Sequence, residues 1–430
     1  MRPALLLCAA AVALAQTPVN PDDVLARARA RLAAAAADTP RYTCTQTVDR
    51  SYFRETRQAA RTCDEIVANH RNKRSKPVLM ATDRLRFDVE VSDGGYEIYA
   101  WPGAARIDTS KIEQMAGGGP LGTGPFGPFL IDIFDNRAVE FQYLGTRPLL
   151  EYRFRVPLEA SHYRVQAGAK WRVTGYDGTF QIDPASTLLR QLTVRTLELP
   201  ADARSCEATT TMDFGLLQIG DGEYLLPSQT HLQIIGRGAG FTESTTVYSA
   251  CHEFRGESTV NFGDPAPQAS PGATFTGVVH TPALPPGLPV HLALASEIDT
   301  DRAAAGDPVS ATLSKPLVDP ASKRVLAPAG ALVRGRITHM EHHIEGENYF
   351  LIGFTFETLE LSGAALPLRI ILDSPHQVQD LRTTTGRASV ITESQSGLHS
   401  GGTLLFPTRL PRYVVPRGFP STWITLPQDR

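Results

Sequence analysis

The chain has 430 residues, of which 42% are hydrophobic and 20% are charged, and its formal net charge is −3. This length predicts two or three domains that can fill real hydrophobic cores. The nearly balanced charge argues against nucleic acid or an anionic membrane surface as a partner.

The first fifteen residues have the pattern of a cleavable secretory signal. Arg2 provides the positive start, residues 4–12 form a short apolar run, and Ala13-Leu14-Ala15 fits a small-x-small cleavage site. We therefore expect cleavage after Ala15, a periplasmic or secreted location, and no transmembrane segment in the mature chain. The alternatives are an uncleaved buried helix and lipidation at Cys8, where Leu7 replaces the small residue that a lipobox needs.

Four cysteines remain after the predicted signal, namely Cys44, Cys63, Cys206 and Cys251. None of them has CxxC spacing, so neither a thioredoxin-like redox site nor a zinc knuckle is indicated. Four cysteines allow three pairings. Pairing neighbours in sequence, Cys44 with Cys63 and Cys206 with Cys251, would staple two hairpins in an oxidising compartment. Free buried thiols are the alternative.

The first predicted domain, residues 16–263, begins with a helix over residues 22–37 and continues as strands. Asp22 can cap the helix, and residues 39–40, Thr-Pro, end it. Between residues 42 and 262, apolar and polar residues alternate, which predicts one long antiparallel meander. Asp177-Gly178 and Asp221-Gly222 lie between alternating runs, and Asp-Gly is a strong hairpin signal.

A glycine-rich interruption over residues 115–135 ends in a short apolar segment. This segment predicts a helix that acts as a lid or plug against the sheet and lines a hydrophobic cavity. The residues predicted to line that cavity are Phe126, Phe129, Leu130, Ile133 and Phe134.

Residues 264–289 are rich in proline, alanine and glycine, which is typical of an interdomain linker. Residues 290–430 then alternate again and predict a small antiparallel β-barrel or sandwich. The fold class expected for the whole chain is mainly β: a curved antiparallel half-barrel with one helix, followed by this second β domain.

One cluster has side chains of the metal-ligand types. On a strand, His339, Glu341 and His343 would share a face and could bind zinc or nickel. The competing interpretation is a solvated hairpin end. The serine-hydrolase patterns GxSxG and SxxK are absent from the sequence. We expect no enzymatic activity and no cofactor.

The second domain resembles the barrel module of TrbI-like conjugation and type IV secretion channel proteins. The residues that carry the resemblance are Gly306-Asp307-Pro308-Val309, Pro328-Ala329-Gly330 and the strand pattern Phe350, Ile352, Phe354, Phe356. The resemblance implies an envelope module. The antenna and inner-membrane anchor of the channel proteins are not seen in the sequence, which argues against a pore.

The first domain resembles the half-barrel of lipoprotein carriers of the LolA-like family. Residues 175–183, interpreted as a hairpin, and the strand 192–194 carry this likeness, which is one of topology. The resemblance implies an apolar cavity for a lipid or lipoprotein. The expected function is therefore an envelope protein that binds a hydrophobic ligand. The alternative is a structural or assembly component that docks on an envelope partner through its C-terminal barrel.

Overall fold

The structure is a computed structural model. It describes residues 20–38, 40–55, 62–74, 76–92, 97–103, 126–167, 170–197, 199–200, 202–238, 240–254, 284–346, 348–361, 363–373, 382–383, 386–387, 389–391 and 400–427. The predicted signal, residues 115–125 of the glycine-rich stretch and residues 264–283 of the predicted linker lie outside these ranges.

The first part of the chain consists of three helices, one short 3₁₀ turn and twelve strands among the described residues. They are α1 Pro21–Asp38, β1 Tyr42–Glu55, α2 Cys63–Arg71, β2 Pro77–Val91, β3 Glu97–Ala100, α3 Phe126–Phe134, β4 Glu140–Thr146, β5 Leu150–Val156, the 3₁₀ turn Leu158–Ala160, β6 Arg164–Ala167, β7 Lys170–Val173, β8 Tyr176–Ile182, β9 Leu189–Thr196, β10 Ser205–Ile219, β11 Gly222–Gly236 and β12 Gly240–Glu253.

Ten of these strands form an antiparallel sheet in the order β3-β2-β1-β12-β11-β10-β9-β8-β5-β4. Most neighbours are also neighbours in sequence, as in the predicted meander. There are two exceptions. Strand β5 pairs with β8, because β6 and β7 form a separate hairpin between them, and β1 pairs with β12, about 200 residues away. This non-local pairing brings the two ends of the region together.

One of the two quoted hairpins is confirmed and the other is wrong. Strands β10 and β11 are joined by a tight turn at Gly220-Asp221, with Gly220 at φ +58°. Asp177-Gly178, in contrast, lies inside the continuous strand β8. A Cβ atom at position 178 would lie 1.8 Å from the carbonyl oxygen of Thr193, so glycine permits a close approach of two backbones there.

Two helices cover one face of this sheet, which we call the inner face. Helix α1 contributes Val24, Ala28 and Leu32 to a buried cluster that also contains Ile133 and Phe134 of α3. The cluster continues onto inward side chains of β5, β8 and β9. Val24, Ala28 and Leu32 are spaced four residues apart, so they lie on one side of the helix, and the sequence predicts this side as the buried one. Among the described helices, none is long and apolar enough to cross a bilayer.

The second part of the chain has fifteen strands among its described residues. They are β13 Pro289–Leu294, β14 Ile298–Asp299, β15 Pro308–Leu313, β16 Leu317–Val318, β17 Val325–Ala327, β18 Leu332–His343, β19 Tyr349–Leu361, β20 Ala364–Pro367, β21 Ile370–Leu372, β22 Arg382–Thr383, β23 Gly386–Arg387, β24 Ser389–Ile391, β25 Gly402–Pro407, β26 Val414–Val415 and β27 Pro420–Thr425.

The main strands pair antiparallel in the order β21-β27-β13-β15-β18-β19-β25. Between the two ends of this series, the described residues have only a parallel bridge at Ile371 and Gly401, so a regular closed barrel is not formed. Trp423 is fully buried at the centre, with its ring edge-on to Phe356. The prediction of a mainly β, antiparallel fold is confirmed.

The two parts share one sheet, because β2 also pairs with β18. The partners are Asp83 with Glu341, Thr82 with His342, and Ala81 with His343. A second contact lies at Ala305, which exchanges backbone hydrogen bonds with Arg84 and Arg86.

The disulfides join Cys44 to Cys251 and Cys63 to Cys206, so the predicted pairing of sequence neighbours is wrong. Cys44 lies on β1 and Cys251 on β12, and these strands are adjacent only through the non-local pairing. Cys63 begins α2, which packs against β10 where Cys206 lies. The bridges therefore close long loops instead of local hairpins.

Candidate functional site

The inner face of the sheet is defined by rows of directly paired residues, because paired residues point to the same side. One row runs from Val48 on β1 through Thr246 and Thr230 to Met212 on β10. It continues through Leu192, Phe180 and Tyr152. The second half of this row is apolar and lies under α1 and α3.

Polar side chains occupy the middle of the inner face. We call Gln46, Thr230, Ser244 and Thr246 the inner polar patch. Their exposed fractions are 0%, 2%, 1% and 0%. Thr230 faces the hydroxyl group of Tyr248. The patch is thus completely buried, which is unusual for amide and hydroxyl side chains on a sheet.

Several polar atoms of the patch lack hydrogen-bond partners within the described chain. They are both amide atoms of Gln46, Oγ of Ser244 and Oγ1 of Thr246. A buried polar group without a partner costs about 1–3 kcal/mol, and most buried side-chain polar atoms in native proteins are paired. This arrangement therefore presents donors and acceptors that a bound molecule could satisfy.

Apolar clusters flank the patch on both sides. Toward β4, the ring of Phe180 lies 5.1 Å from that of Tyr152 and 6.1 Å from that of Phe154, measured between ring centroids. Toward β2, Phe87 packs between the rings of Tyr99 and Trp101. The inner face therefore has a polar centre between two hydrocarbon-like areas.

A buried ion pair closes the end of the inner face near β18. Arg50 donates two hydrogen bonds to Asp83: its Nε lies 2.7 Å from Oδ1, and its Nη2 lies 2.6 Å from Oδ2. The hydroxyl group of Tyr52 donates to the same carboxylate at 3.1 Å. Burial, together with the nearby Asp83 carboxylate, raises the pKa of Tyr52 far above its ordinary range. The third guanidinium nitrogen of Arg50, Nη1, has no partner in the described chain.

A second acid, with a buried carboxylate oxygen, lies at the other end, on β3. Glu97 accepts a hydrogen bond from the hydroxyl group of Tyr99, while its Oε1 atom is buried without a partner in the described chain. Burial raises the pKa of Glu97 to about 8, although the Tyr99 hydrogen bond opposes the shift. Burial raises the pKa of the Tyr42 and Tyr248 phenols, and a negative charge on the nearby Glu97 raises both further.

The predicted ligand-lining segment lies in the packed core. Leu130, Ile133 and Phe134 are 7%, 0% and 3% exposed, and the Phe134 ring meets Phe180 edge-on at 4.9 Å. These side chains pack with α1 and the sheet in one buried cluster. The side chains of Phe126 and Phe129 lie outside the described residues.

The predicted metal ligands share one face of β18. The bulge at Thr338 turns His339, Glu341 and His343 away from the core, and Nε2 of His343 lies 3.0 Å from Oε2 of Glu341. The hydrogen bond with His343 lowers the pKa of Glu341. In the described part of the chain, no group of three His, Cys, Asp or Glu side chains is arranged to hold a metal ion.

An open cleft of about 420 Å³ lies at the edge of the first sheet. Its walls come from the end of β5, the 3₁₀ turn, the end of β7, and Leu197, Pro200 and Asp202. Leu158 and Val173 are exposed apolar side chains on this wall. The cleft contains none of the residues of the inner polar patch.

Sequence reasoning missed the polar residues of the inner face. The signal was present in β1, where Tyr42, Cys44, Gln46, Val48 and Arg50 occupy alternate positions and are all buried. A glutamine and an arginine on the buried side of a strand indicate an interior polar site. Only the pairing with β12, however, places Ser244 and Thr246 beside them.

No protein-family model matches the chain. No curated protein matches it either. Among solved structures, the chain is weakly similar to a LolA superfamily protein from Nitrosomonas europaea, at 7% identity and a TM-score of 0.20. The match covers 55% of this chain and 94% of that protein. These comparisons give the TrbI-like resemblance no support, and at this TM-score the weak likeness carries no argument about the ligand.

Proposed function

We propose that the protein is a non-enzymatic, extracytoplasmic binding protein that holds an amphipathic lipid on the inner face of its first sheet. The polar group of the lipid would lie on the inner polar patch, and its hydrocarbon would lie against the flanking clusters. The observation that carries this proposal is Gln46, whose amide is fully buried and whose nitrogen and oxygen both lack a hydrogen-bond partner in the described part of the chain. A lipid amide group, which has an N–H donor and a carbonyl acceptor, would supply both missing hydrogen bonds.

The hydrocarbon of the ligand needs space that the helices now fill. Among the described residues of α1, the fully buried side chains are Val24, Ala28 and Leu32. Hydrogen bonds also hold this helix, from Arg29 to the carbonyl oxygen of Phe134 and from Tyr152 to that of Pro21. Exposing two large and one small apolar side chain costs roughly 5 kcal/mol. Burial of an acyl chain of ten or more CH₂ groups offsets that cost at about 0.8 kcal/mol per CH₂. We therefore assign α1 as the element that moves to admit the ligand.

The two disulfides support the location that the proposal requires. Disulfides form and persist in secreted and periplasmic proteins and are rare in the reducing cytosol. The secretory signal predicted over residues 1–15 would deliver the chain to such a compartment.

The test measures the lipid carried by the purified protein. The full chain is produced in an oxidising compartment and extracted, and the extract is analysed by mass spectrometry beside that of a Gln46→Leu variant. We expect about one lipid per wild-type chain. For the variant we expect roughly tenfold weaker binding, because the paired amide contributes about 1–1.5 kcal/mol.

The matched control is Gln191→Leu. Gln191 lies on the outer face of β9, where its amide donates to Asp213 at 2.9 Å. This variant should retain the lipid. Equal lipid retention in Gln46→Leu and the control would refute the polar patch as the binding site. A wild-type protein that takes up no lipid, even after incubation with lipid vesicles, would leave the assembly role through residues 290–430 as the better hypothesis.

A further inference from the structure

Glu97 has no positively charged partner among the described residues. Its carboxyl group accepts a hydrogen bond from Tyr99 and interacts electrostatically with the phenol groups of Tyr42 and Tyr248, and its Oε1 atom is buried without a hydrogen bond in the described chain. No lysine or arginine of the described chain forms an ion pair with it. The neighbouring acid Glu90 is different, because Arg41 pairs with it.

The position of Glu97 connects it to the inner polar patch. On β2, Val91 lies between Glu97 and Tyr42, and Val89 lies between Tyr99 and Cys44. Tyr248 stands directly opposite Gln46, so their Cβ atoms are about 5 Å apart. The acid and the phenols therefore border the patch on its β2 side.

A buried carboxyl group without a counter-charge has two stable states. It can keep its proton, or it can ionise against a cation that enters the site. Three phenol rings suit the second state, because aromatic faces attract ammonium groups and phenol oxygens accept their hydrogen bonds. The three phenol groups carry no positive charge, so none of them would repel an entering ammonium group.

We propose that Glu97, Tyr42, Tyr99 and Tyr248 form a subsite for an ammonium group carried by the amphipathic ligand. This inference rests on the proposed function, and it names the ligand class as an amine-bearing lipid. In the empty protein Glu97 holds its proton, consistent with its pKa of about 8. When the ammonium group enters, the carboxyl group releases that proton to the buffer and the resulting carboxylate pairs with the cation.

The experiment compares decylamine, decanol and butylamine in calorimetric titrations of the lipid-stripped full chain, below the micelle concentration. We expect decylammonium to bind roughly tenfold or more tightly than decanol, since a hydrogen bond to a charged group is stronger than one to a neutral group. Titrations near pH 7 in two buffers of different ionisation enthalpy should show close to one proton released per decylammonium bound.

A Glu97→Gln variant should lose the preference for the amine and still bind decanol. The matched control is Glu90→Gln, which changes an acid of the neighbouring strand that is already paired with Arg41. It should keep the preference. Since the proton count is measured on the wild-type protein, the test does not depend on folding of the Glu97 variant.

The outcomes separate the two proposals. Equal binding of decylammonium and decanol without proton release would overturn the ammonium subsite and leave the lipid-binding proposal standing. Butylammonium binding as tightly as decylammonium would overturn the assignment of the cation to an amphiphile. Absence of binding by all three compounds would overturn the proposed function, and the subsite with it.

Discussion

Arg50 and Asp83 form a two-pronged ion pair in which the arginine is 2% exposed and the carboxylate side chain 9%. The pair lies where β2 leaves its pairing with β1 and continues along β18. Asp83 faces Arg50 on one side and Glu341 on the other. The same carboxylate therefore closes the inner face and marks the junction of the two parts of the chain.

Replacing Asp83 with alanine should destabilise the protein strongly. The change leaves the Arg50 guanidinium buried without a counter-charge, and breaking a buried pair in this way costs about 3–5 kcal/mol. The measurement is the free energy of unfolding in urea. The control is Asp49→Ala, which breaks the half-exposed pair with Arg84 and should cost less than about 1 kcal/mol. A similar loss of unfolding free energy in both variants would show that burial does not make the Arg50–Asp83 pair more important for stability than the half-exposed pair.

Local sequence pattern predicted most strands but none of the long-range partners. The alternation of Phe350, Ile352, Phe354 and Phe356 correctly predicted a strand, because side-chain period is a local property of the backbone. The pairing of β1 with β12, in contrast, depends on how the whole sheet closes. The disulfide partners and the inner polar patch both depend on that pairing, so neither could be derived from neighbouring residues.

The failed hairpin at Asp177-Gly178 has a similar cause. Asp-Gly is a turn signal because glycine tolerates positive φ. In this protein the glycine is needed for a different reason, namely the close approach of β9, and Asp177 instead pairs with Arg195 on that strand at 2.7 Å. A local rule cannot distinguish a glycine required by a turn from one required by a neighbouring strand.

The two disulfides should contribute much of the stability, because each closes a long loop. The linked residues are 207 and 143 positions apart. Loop-closure entropy predicts about 4–5 kcal/mol for one such bridge. A Cys63→Ser, Cys206→Ser double variant should lose an amount of this order in urea unfolding. Peptide mapping without reduction should show links 44–251 and 63–206, and a link between Cys44 and Cys63 would contradict the structure.

The lipid-stripped protein should become more stable when Thr246 is replaced with valine. The hydroxyl group of Thr246 is buried without a partner in the described chain, and valine has nearly the same shape without that polar atom. We expect a gain of about 1 kcal/mol and weaker lipid binding. The control is Thr245→Val on the outer face of the same strand, where Oγ1 lies 3.3 Å from Nδ1 of His231. That variant should show no gain, and a loss of stability in Thr246→Val would imply that the hydroxyl group has a partner.

Glu97 should make the empty protein less stable as the pH rises. Its pKa in the folded state is about 8, compared with an ordinary value of 4.5, so between these values the folded chain holds a proton that the unfolded chain has released. Stability then falls with increasing pH across this window and becomes constant above it. A Glu97→Gln variant lacks this titration. The difference in unfolding free energy between variant and wild type should therefore grow in favour of the variant from about pH 5 to about pH 9. A difference that stays constant over this range would show that Glu97 titrates normally in the folded protein.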